Sequence, residues 1–325
     1  MQVDLRLPGL PQRRVDPVLS IIIPLRDEQE AIPKLYLRLD RVLGRIGLPA
    51  EILFVNDGSR DDSLALLERL REQDARVAVL NLSRNFGKEI ATTAGLDHAR
   101  GDAVVVIDAD LQDPPELIEP MVAAWQDGVD VVYAQRRSRD GDGWFKRNTA
   151  AAFYRVMRGL GPAPIPADVG DFRLMSRRVV DAVSGLREQH RFMKGLFAWV
   201  GFSSRAIAYD RAPRCAGGSK WGWWKLWNLA IEGITSHTVL PLKLATFLGA
   251  LVACGAVLYL LEVVIRTLVW GNPVAGYPSL MAVVLFLGSA QLVTLGVMGE
   301  YLGRVFNETK RRPLYIVERF SRAGD

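Results

Sequence analysis

Ala103-Val104-Val105-Val106-Ile107-Asp108-Ala109-Asp110-Leu111-Gln112-Asp113-Pro114-Pro115-Glu116 is the stretch that decides the fold. Five apolar residues, three of them valine, run straight into two carboxylates spaced i, i+2. A short β-branched run bounded by Gly101 and Pro114 predicts a buried, parallel-type strand. The carboxylates sit at its carboxyl end, the edge where open α/β sheets bind ligands. Side chains alternate along an extended segment, so Asp108, Asp110 and Gln112 are expected on one face. Three hard oxygen ligands there suit Mg²⁺ or Mn²⁺, which keep waters and bind substrate phosphates. The plainer alternative is an ordinary strand end with solvated aspartates.

Outward from this strand, strand and helix alternate. Val18–Pro24 and Glu51–Val55 read as strands, with helical spacing over Glu30–Ile46 between them. Asp61 or Asp62 is a plausible N-cap for a helix presenting Leu64, Leu67 and Leu70. Val77–Leu82 is a third strand, and a helix follows over about Glu89–Ala99. A proline-started helix at Pro115–Trp125 and a strand at Val129–Ala134 follow the central strand. This alternation predicts right-handed βαβ units and a mostly parallel, Rossmann-like sheet. Loops at three strand ends carry Asp57, Arg84 with Lys88, and the Asp108/Asp110 pair. Their convergence at one sheet edge looks like a nucleotide pocket. The fingerprints of dinucleotide oxidoreductases and P-loop NTPases are missing.

The net charge is a modest +5. Two cysteines, Cys215 and Cys254, lie far apart, which argues against a disulfide framework or zinc site. Residues 1–17 have no apolar signal-peptide core. From residue 135 cations accumulate (Arg136, Arg137, Arg139, Lys146, Arg147), either as solvated surface or as an anion site. Residues 18–218 are expected to form the catalytic domain. Asp171, in Gly170-Asp171-Phe172-Arg173, caps a turn or serves the site. Tryptophans at 221, 223, 224 and 227 with Lys220 and Lys225 predict an interfacial amphipathic helix over 219–240. Residues 241–303 are expected to form a transmembrane hairpin with spans at about 244–268 and 280–303. Basic residues flank both outer ends, so both termini and the catalytic domain are expected in the cytoplasm of a multi-pass bacterial inner-membrane protein. Residues 304–325 are expected as a basic tail, and small residues such as Gly249, Gly255 and Gly288 permit close helix packing.

Asn56-Asp57-Gly58-Ser59, Asp108-Ala109-Asp110-Leu111-Gln112-Asp113-Pro114, Gly170-Asp171-Phe172-Arg173-Leu174, Gly218-Ser219-Lys220 and the two apolar C-terminal stretches resemble family-2, GT-A-fold polyisoprenyl-phosphate glycosyltransferases. Arg84-Asn85-Phe86-Gly87-Lys88-Glu89, Phe192-Met193-Lys194-Gly195 and Gly299-Glu300-Tyr301-Leu302-Gly303-Arg304 resemble the bactoprenol (undecaprenyl-phosphate) glucosyltransferases of O-antigen modification. The resemblance covers about residues 18–317. It implies inverting transfer of one sugar, glucose from UDP-glucose, to a lipid phosphate. It further implies donor binding by Pro24, Glu28, Asp57, Arg84, Lys88 and Asp108, with Asp57 on the uracil or ribose. Mg²⁺ or Mn²⁺ would be held by Asp108, Asp110 and Gln112. Asp171 would act at the reacting centre as a positioning group or weak base. Arg136, Arg147, Ser219 and Lys220 would grip the acceptor phosphate. Partners implied are the nucleotide sugar, undecaprenyl phosphate, membrane lipid and further copies of the chain, a tetramer included, but no nucleic acid.

The chain departs from the family pattern at two places. Relatives end the first strand in Pro-x-Tyr/Phe-Asn-Glu, where this chain has Pro24-Leu25-Arg26-Asp27-Glu28. Glycine replaces a common glutamate just before Ser219-Lys220. Other donors (UDP-GlcNAc, UDP-aminoarabinose, GDP-mannose) remain open. A processive synthase needs a Gln-x-x-Arg-Trp motif that Gln189-His190-Arg191-Phe192 does not supply. A non-catalytic membrane scaffold sits poorly with intact Asp57, Asp108, Asp110 and Asp171.

Overall fold

A computed structural model describes residues 17–137, 169–189, 191, 193–210, scattered positions between 247 and 269, and 276–322. Arg147, Ser219, Lys220, the expected interfacial helix and the tail before residue 17 lie outside the described residues.

The chain runs β1 (Leu19–Leu25), α1 (Ile32–Ile46), β2 (Ala50–Asn56), α2 (Ser63–Gln73), β3 (Val77–Leu82), α3 (Lys88–His98), β4 (Ala103–Val106), a 3-10 turn (Pro115–Leu117) and α4 (Ile118–Gln126). It continues with β5 (Val131–Arg136), β6 (Val169–Ser176), α5 (Arg177–Ser184), α6 (Met193–Trp199), β7 (Ser204–Tyr209), α7 (Tyr277–Thr309) and β8 (Val317–Ser321). The eight strands form one sheet in the order β7-β5-β6-β4-β1-β2-β3-β8. The central strands β4, β1, β2 and β3 are parallel, as the βαβ pattern requires. The sheet as a whole is mixed. β6 runs antiparallel to both β4 and β5, and β8 runs antiparallel to β3.

Period-two alternation divides the core into two layers. Ile21, Ile23, Ile52, Phe54 and Val105 meet α1, α2 and α4 on one face. Ile22, Leu53, Val55, Val104 and Val106 meet α3, α5 and α6 on the other. α3 lies so close to the sheet that a Cβ on Gly95 would stand 2.3 Å from Ile22 Cγ2. The strand order reverses between β1 and β4, which makes the crevice there the topological switch point. Pairing of β1 with β4 ends where Ile107 N donates to Ile22 O at 3.0 Å. Pro24, two residues on, has no N–H to extend it, so the strands part at the carboxyl edge.

The expected transmembrane hairpin is not found among the described residues. Among the described residues no helix is long and apolar enough to cross a membrane. The multi-pass inner-membrane placement and the cytoplasmic assignment of both termini rested on that hairpin and fall with it. The described positions in 244–268 are too scattered to define a helix. α7 covers the second stretch and has 33 residues, with Gln291 near its middle and Glu300, Arg304, Asn307 and Glu308 gathered in its last ten. Residues 317–321, in the expected tail, return to the sheet as β8.

Candidate active site

Asp57 follows β2 and is 4% exposed. One carboxylate oxygen accepts Phe86 N at 2.6 Å, and the other accepts Gly87 N at 2.9 Å and Asn85 Nδ2 at 3.0 Å. The resemblance gives Asp57 a base or ribose contact, whereas both oxygens here hold the loop that starts α3. Gly58 makes this approach possible. Its φ is +65°, and a Cβ would lie 2.6 Å from Asn85 N. Across the edge, Asp27 adopts φ 55°, a left-handed conformation in which Asn and Asp are enriched. Its N–H donates to Ser59 Oγ at 3.0 Å, and its Oδ1 accepts Arg60 N at 2.7 Å. Glu28 N donates to Ser63 Oγ at 3.0 Å. Asp27 thus ties the end of β1 to the turn after β2, with Arg26 exposed beside it.

Lys88 opens α3 and joins two strands. Its Nζ lies 2.6 and 2.7 Å from the two oxygens of Asp108 and 2.5 Å from Asp171 Oδ2. The antiparallel register explains the meeting. Val106 pairs with Arg173, so continuing both strands by two residues sets Asp108 opposite Asp171. Burial disfavours the ammonium, but the two carboxylates outweigh it and hold the Lys88 pKa above the ordinary lysine value. Burial pushes Asp171 up, yet Lys88, Lys194 and Arg173 hold its carboxyl well below the usual range. Asp108 moves the other way, raised first by burial and further by Asp171 and Asp113 against the opposing Lys88. Asp171 is therefore a firmly ionised carboxylate and a poor proton acceptor.

Sequence reasoning passed over several residues around this centre. Glu89 accepts Met193 N at 3.1 Å, and burial together with Asp171 pushes its carboxyl up to about 7. Arg173 is 4% exposed and donates to Gly170 O at 3.0 Å. Its guanidinium stacks 3.9 Å over the Phe197 ring, and burial lowers its pKa to about 10. The i, i+2 spacing from Asp171 was a usable signal for Arg173, since both fall on one face of a strand. At the end of β7, Tyr209 donates to Asp113 Oδ1, and burial with Asp113 pushes its hydroxyl up to about 12. Arg136 lies beside this pair, hydrogen-bonded to Tyr209, with an Nη2 that would be 3.8 Å from a Cβ on Gly170. Its Nε is buried without a hydrogen-bond partner. Arg84 turns back onto its own loop, donating to Asn85 O at 3.0 Å with its guanidinium 4.0 Å over Phe86.

The extended geometry expected for Asp108, Asp110 and Gln112 does not hold. β4 ends at Val106, residues 109–110 form a turn, and Leu111 takes φ 60°. Asp110 Oδ1 instead accepts Gln112 N at 3.1 Å. Among the described residues no three His, Cys, Asp or Glu side chains form a metal cluster. The donor set still fits a divalent cation that shares its shell with substrate phosphates. The buried Oδ1 atoms of Asp108 and Asp171 receive no well-angled hydrogen bond, which leaves acceptor capacity for such a cation.

Residues 20–184 match Glycosyl transferase family 2. An uncharacterized glycosyltransferase of Synechocystis sp. is 50% identical over 92% of this chain and 94% of its own length. A prophage-derived bactoprenol glucosyl transferase of Shigella flexneri is 47% identical over 94% of this chain and 99% of its own length. The prophage bactoprenol glucosyl transferase homolog of Escherichia coli (strain K12) is 46% identical, covering 93% and 98%.

Proposed function

The chain belongs to glycosyl transferase family 2, and from that membership we propose that it transfers a single glucose from UDP-glucose to undecaprenyl phosphate (bactoprenol), with inversion. The observation that carries this is the 47% identity to a bactoprenol glucosyl transferase over 94% of the chain. The Lys88–Asp108–Asp171 cluster at the sheet's switch point supports it.

In this reaction an oxygen of the acceptor phosphate forms a bond to the anomeric carbon as the bond to the UDP oxygen breaks. A phosphate monoester has a second pKa near 6, so at neutral pH the acceptor is already largely dianionic. It needs orientation more than deprotonation. Asp171, held ionised by Lys88, suits that role: it fixes the ammonium and sets the approach of the acceptor without taking a proton. Lys88 places a positive charge where the diphosphate gains negative charge on departure. Asp108 and Asp110 with Gln112 would hold Mg²⁺ or Mn²⁺, which neutralises the leaving diphosphate when bound. Arg136, with its unpartnered Nε, is the acceptor-phosphate ligand among the described residues. Arg147, Ser219 and Lys220, outside the described residues, are proposed as further ligands of that phosphate. Copies of the chain associate through α7, whose Leu280, Phe286, Leu292 and Leu302 are left uncovered.

The test is a donor screen. The purified protein is incubated with undecaprenyl phosphate, Mg²⁺ or Mn²⁺, and UDP-glucose, UDP-GlcNAc, UDP-aminoarabinose or GDP-mannose in turn, and the lipid product is weighed by mass spectrometry. A single hexose added from UDP-glucose alone is expected. Product only from another donor overturns the sugar, and no product from any donor overturns the enzyme.

A further inference from the structure

A hydrogen-bonded chain of side chains runs from the edge strand β8 to the turn after β2, and the reaction as derived so far makes no use of it. Asp27 N–H donates to Ser59 Oγ at 3.0 Å. Ser59 Oγ donates to Asn56 Oδ1 at 2.5 Å, and Asn56 Nδ2 donates to Asn81 Oδ1 at 2.7 Å. Asn81 Nδ2 donates to Glu318 Oε2 at 2.7 Å. The two amides are 1% and 8% exposed. All four bonds point the same way and end on a carboxylate. An ionised carboxylate only accepts, so it obliges Asn81 to present its amide nitrogen and its oxygen to Asn56. Asn56 must then present its oxygen to Ser59. Each bond polarises the next, which strengthens the set.

The backbone around Glu318 is shaped for this. Asn81 pairs with Arg319 and Leu82 with Val317, so Glu318 falls between them as the extra residue of a β-bulge. Bulges next to sites re-aim a side chain. Without the bulge, the carboxylate would alternate with its neighbours and miss Asn81.

We infer that Glu318 and Asn81 are positioning residues for the nucleotide donor. They act through Asn56 to fix the Asp57-Gly58-Ser59 turn and, through Ser59, the left-handed Asp27. This rests on the reading that the carboxyl edge of β1 and β2 takes a nucleoside diphosphate sugar.

Four forms of the full chain test it: the parent, Glu318→Ala, Glu318→Gln and Arg319→Ala, the last changing the exposed neighbour on the same strand. Glu318→Ala is expected to raise the KM for UDP-glucose and the Kd for UDP about five- to tenfold, with kcat changed less than twofold. Glu318→Gln keeps an acceptor oxygen and recovers most of the loss, and Arg319→Ala leaves both constants alone. Hydrogen exchange of the nucleotide-free protein should show faster exchange in Glu318→Ala at residues 27–28 and 57–60, with the thermal midpoint within a few degrees of the parent. Unchanged exchange and unchanged UDP affinity overturn the inference. So does an equal fall in kcat and donor affinity alongside a large drop in midpoint, which would make β8 a stabilising strand and nothing more. Faster exchange in a chain whose parent binds no UDP would instead overturn the donor reading and leave the positioning chain standing.

Discussion

Lys88 holds a formal positive charge between two carboxylates supplied by different strands. Removing it leaves Asp108 and Asp171 facing each other with burial working against both charges. Lys88→Met is therefore expected to lower kcat at least about 100-fold, the scale of losing one charge-stabilising group. Lys88→Arg cannot place one nitrogen between both carboxylates and recovers little. Steady-state kinetics with both substrates varied decides this, and near-parental turnover in Lys88→Met would exclude the proposed role. Asp171→Asn should depress kcat with donor KM nearly unchanged, whereas Asp110→Asn should abolish transfer at every Mg²⁺ or Mn²⁺ concentration. Glu89 offers a pH signature. Its folded pKa of about 7 lies above the ordinary 4.5, so the folded state binds the proton more tightly. That stabilisation is whole below about pH 4.5 and is lost as pH rises through 7. Glu89→Gln removes the loss and keeps an acceptor for Met193 N. Its thermal midpoint should gain on the parent steadily from pH 5 to 8 and level off above. A difference independent of pH would show that Glu89 does not titrate in that window. Asp108 and Asp110 were legible in the sequence, because a carboxylate after an apolar run marks a sheet edge, whereas Asp171 was singled out only by the family resemblance. Their joining through Lys88 was not legible, since it depends on the register of an antiparallel strand.

Among the elements, the parallel half of the sheet could be read directly. The run from residue 103 ends in β4 at Val106, and the helix expected over about 89–99 is α3, Lys88–His98. Continuous β-branched runs and 3.6-residue spacing carry those signals. β6 and β8 were not foreseen, for physical reasons. β6, Val169-Gly170-Asp171-Phe172-Arg173-Leu174-Met175-Ser176, contains glycine and two charges and lacks the β-branched run. β8, Val317-Glu318-Arg319-Phe320-Ser321, is short and polar, as an edge strand tends to be. The turn after β2 yields its own prediction. Gly58→Ala puts a Cβ at positive φ and against the Arg84–Asn85 backbone. It should cost about 1–3 kcal/mol of stability and weaken UDP binding. Urea unfolding and a UDP titration check both. A variant as stable as the parent would mean the 84–87 loop gives way without penalty.

For the whole molecule, hydropathy misled. Apolar residues after 240 were summed into two crossings, but no described helix is long and apolar enough to make one. What closes the molecule is instead the return of residues 317–321 to β3. Deleting 317–325 should expose the N–H and C=O groups of β3, lower the unfolding midpoint and promote association through that edge. Light scattering and thermal unfolding measure both effects, and a truncated chain that stays monodisperse at the parental midpoint would contradict the prediction.

Asn81 and Glu318 touch across a separation of 237 residues. A ribosome adding about 5–20 residues per second therefore makes Asn81 roughly ten to fifty seconds before its partner. From the synthesis of Asp171 onward the nascent chain has the strands of its β1–β4 crevice and its acidic residues, but not the carboxylate that orients the turn between them. The geometry thus acts as a completion check. On the positioning role inferred for Glu318, an interrupted translation product carries an open strand edge for chaperones and proteases to recognise and is expected to grip a nucleotide sugar poorly. Only the polypeptide finished past Glu318 has its donor turn locked.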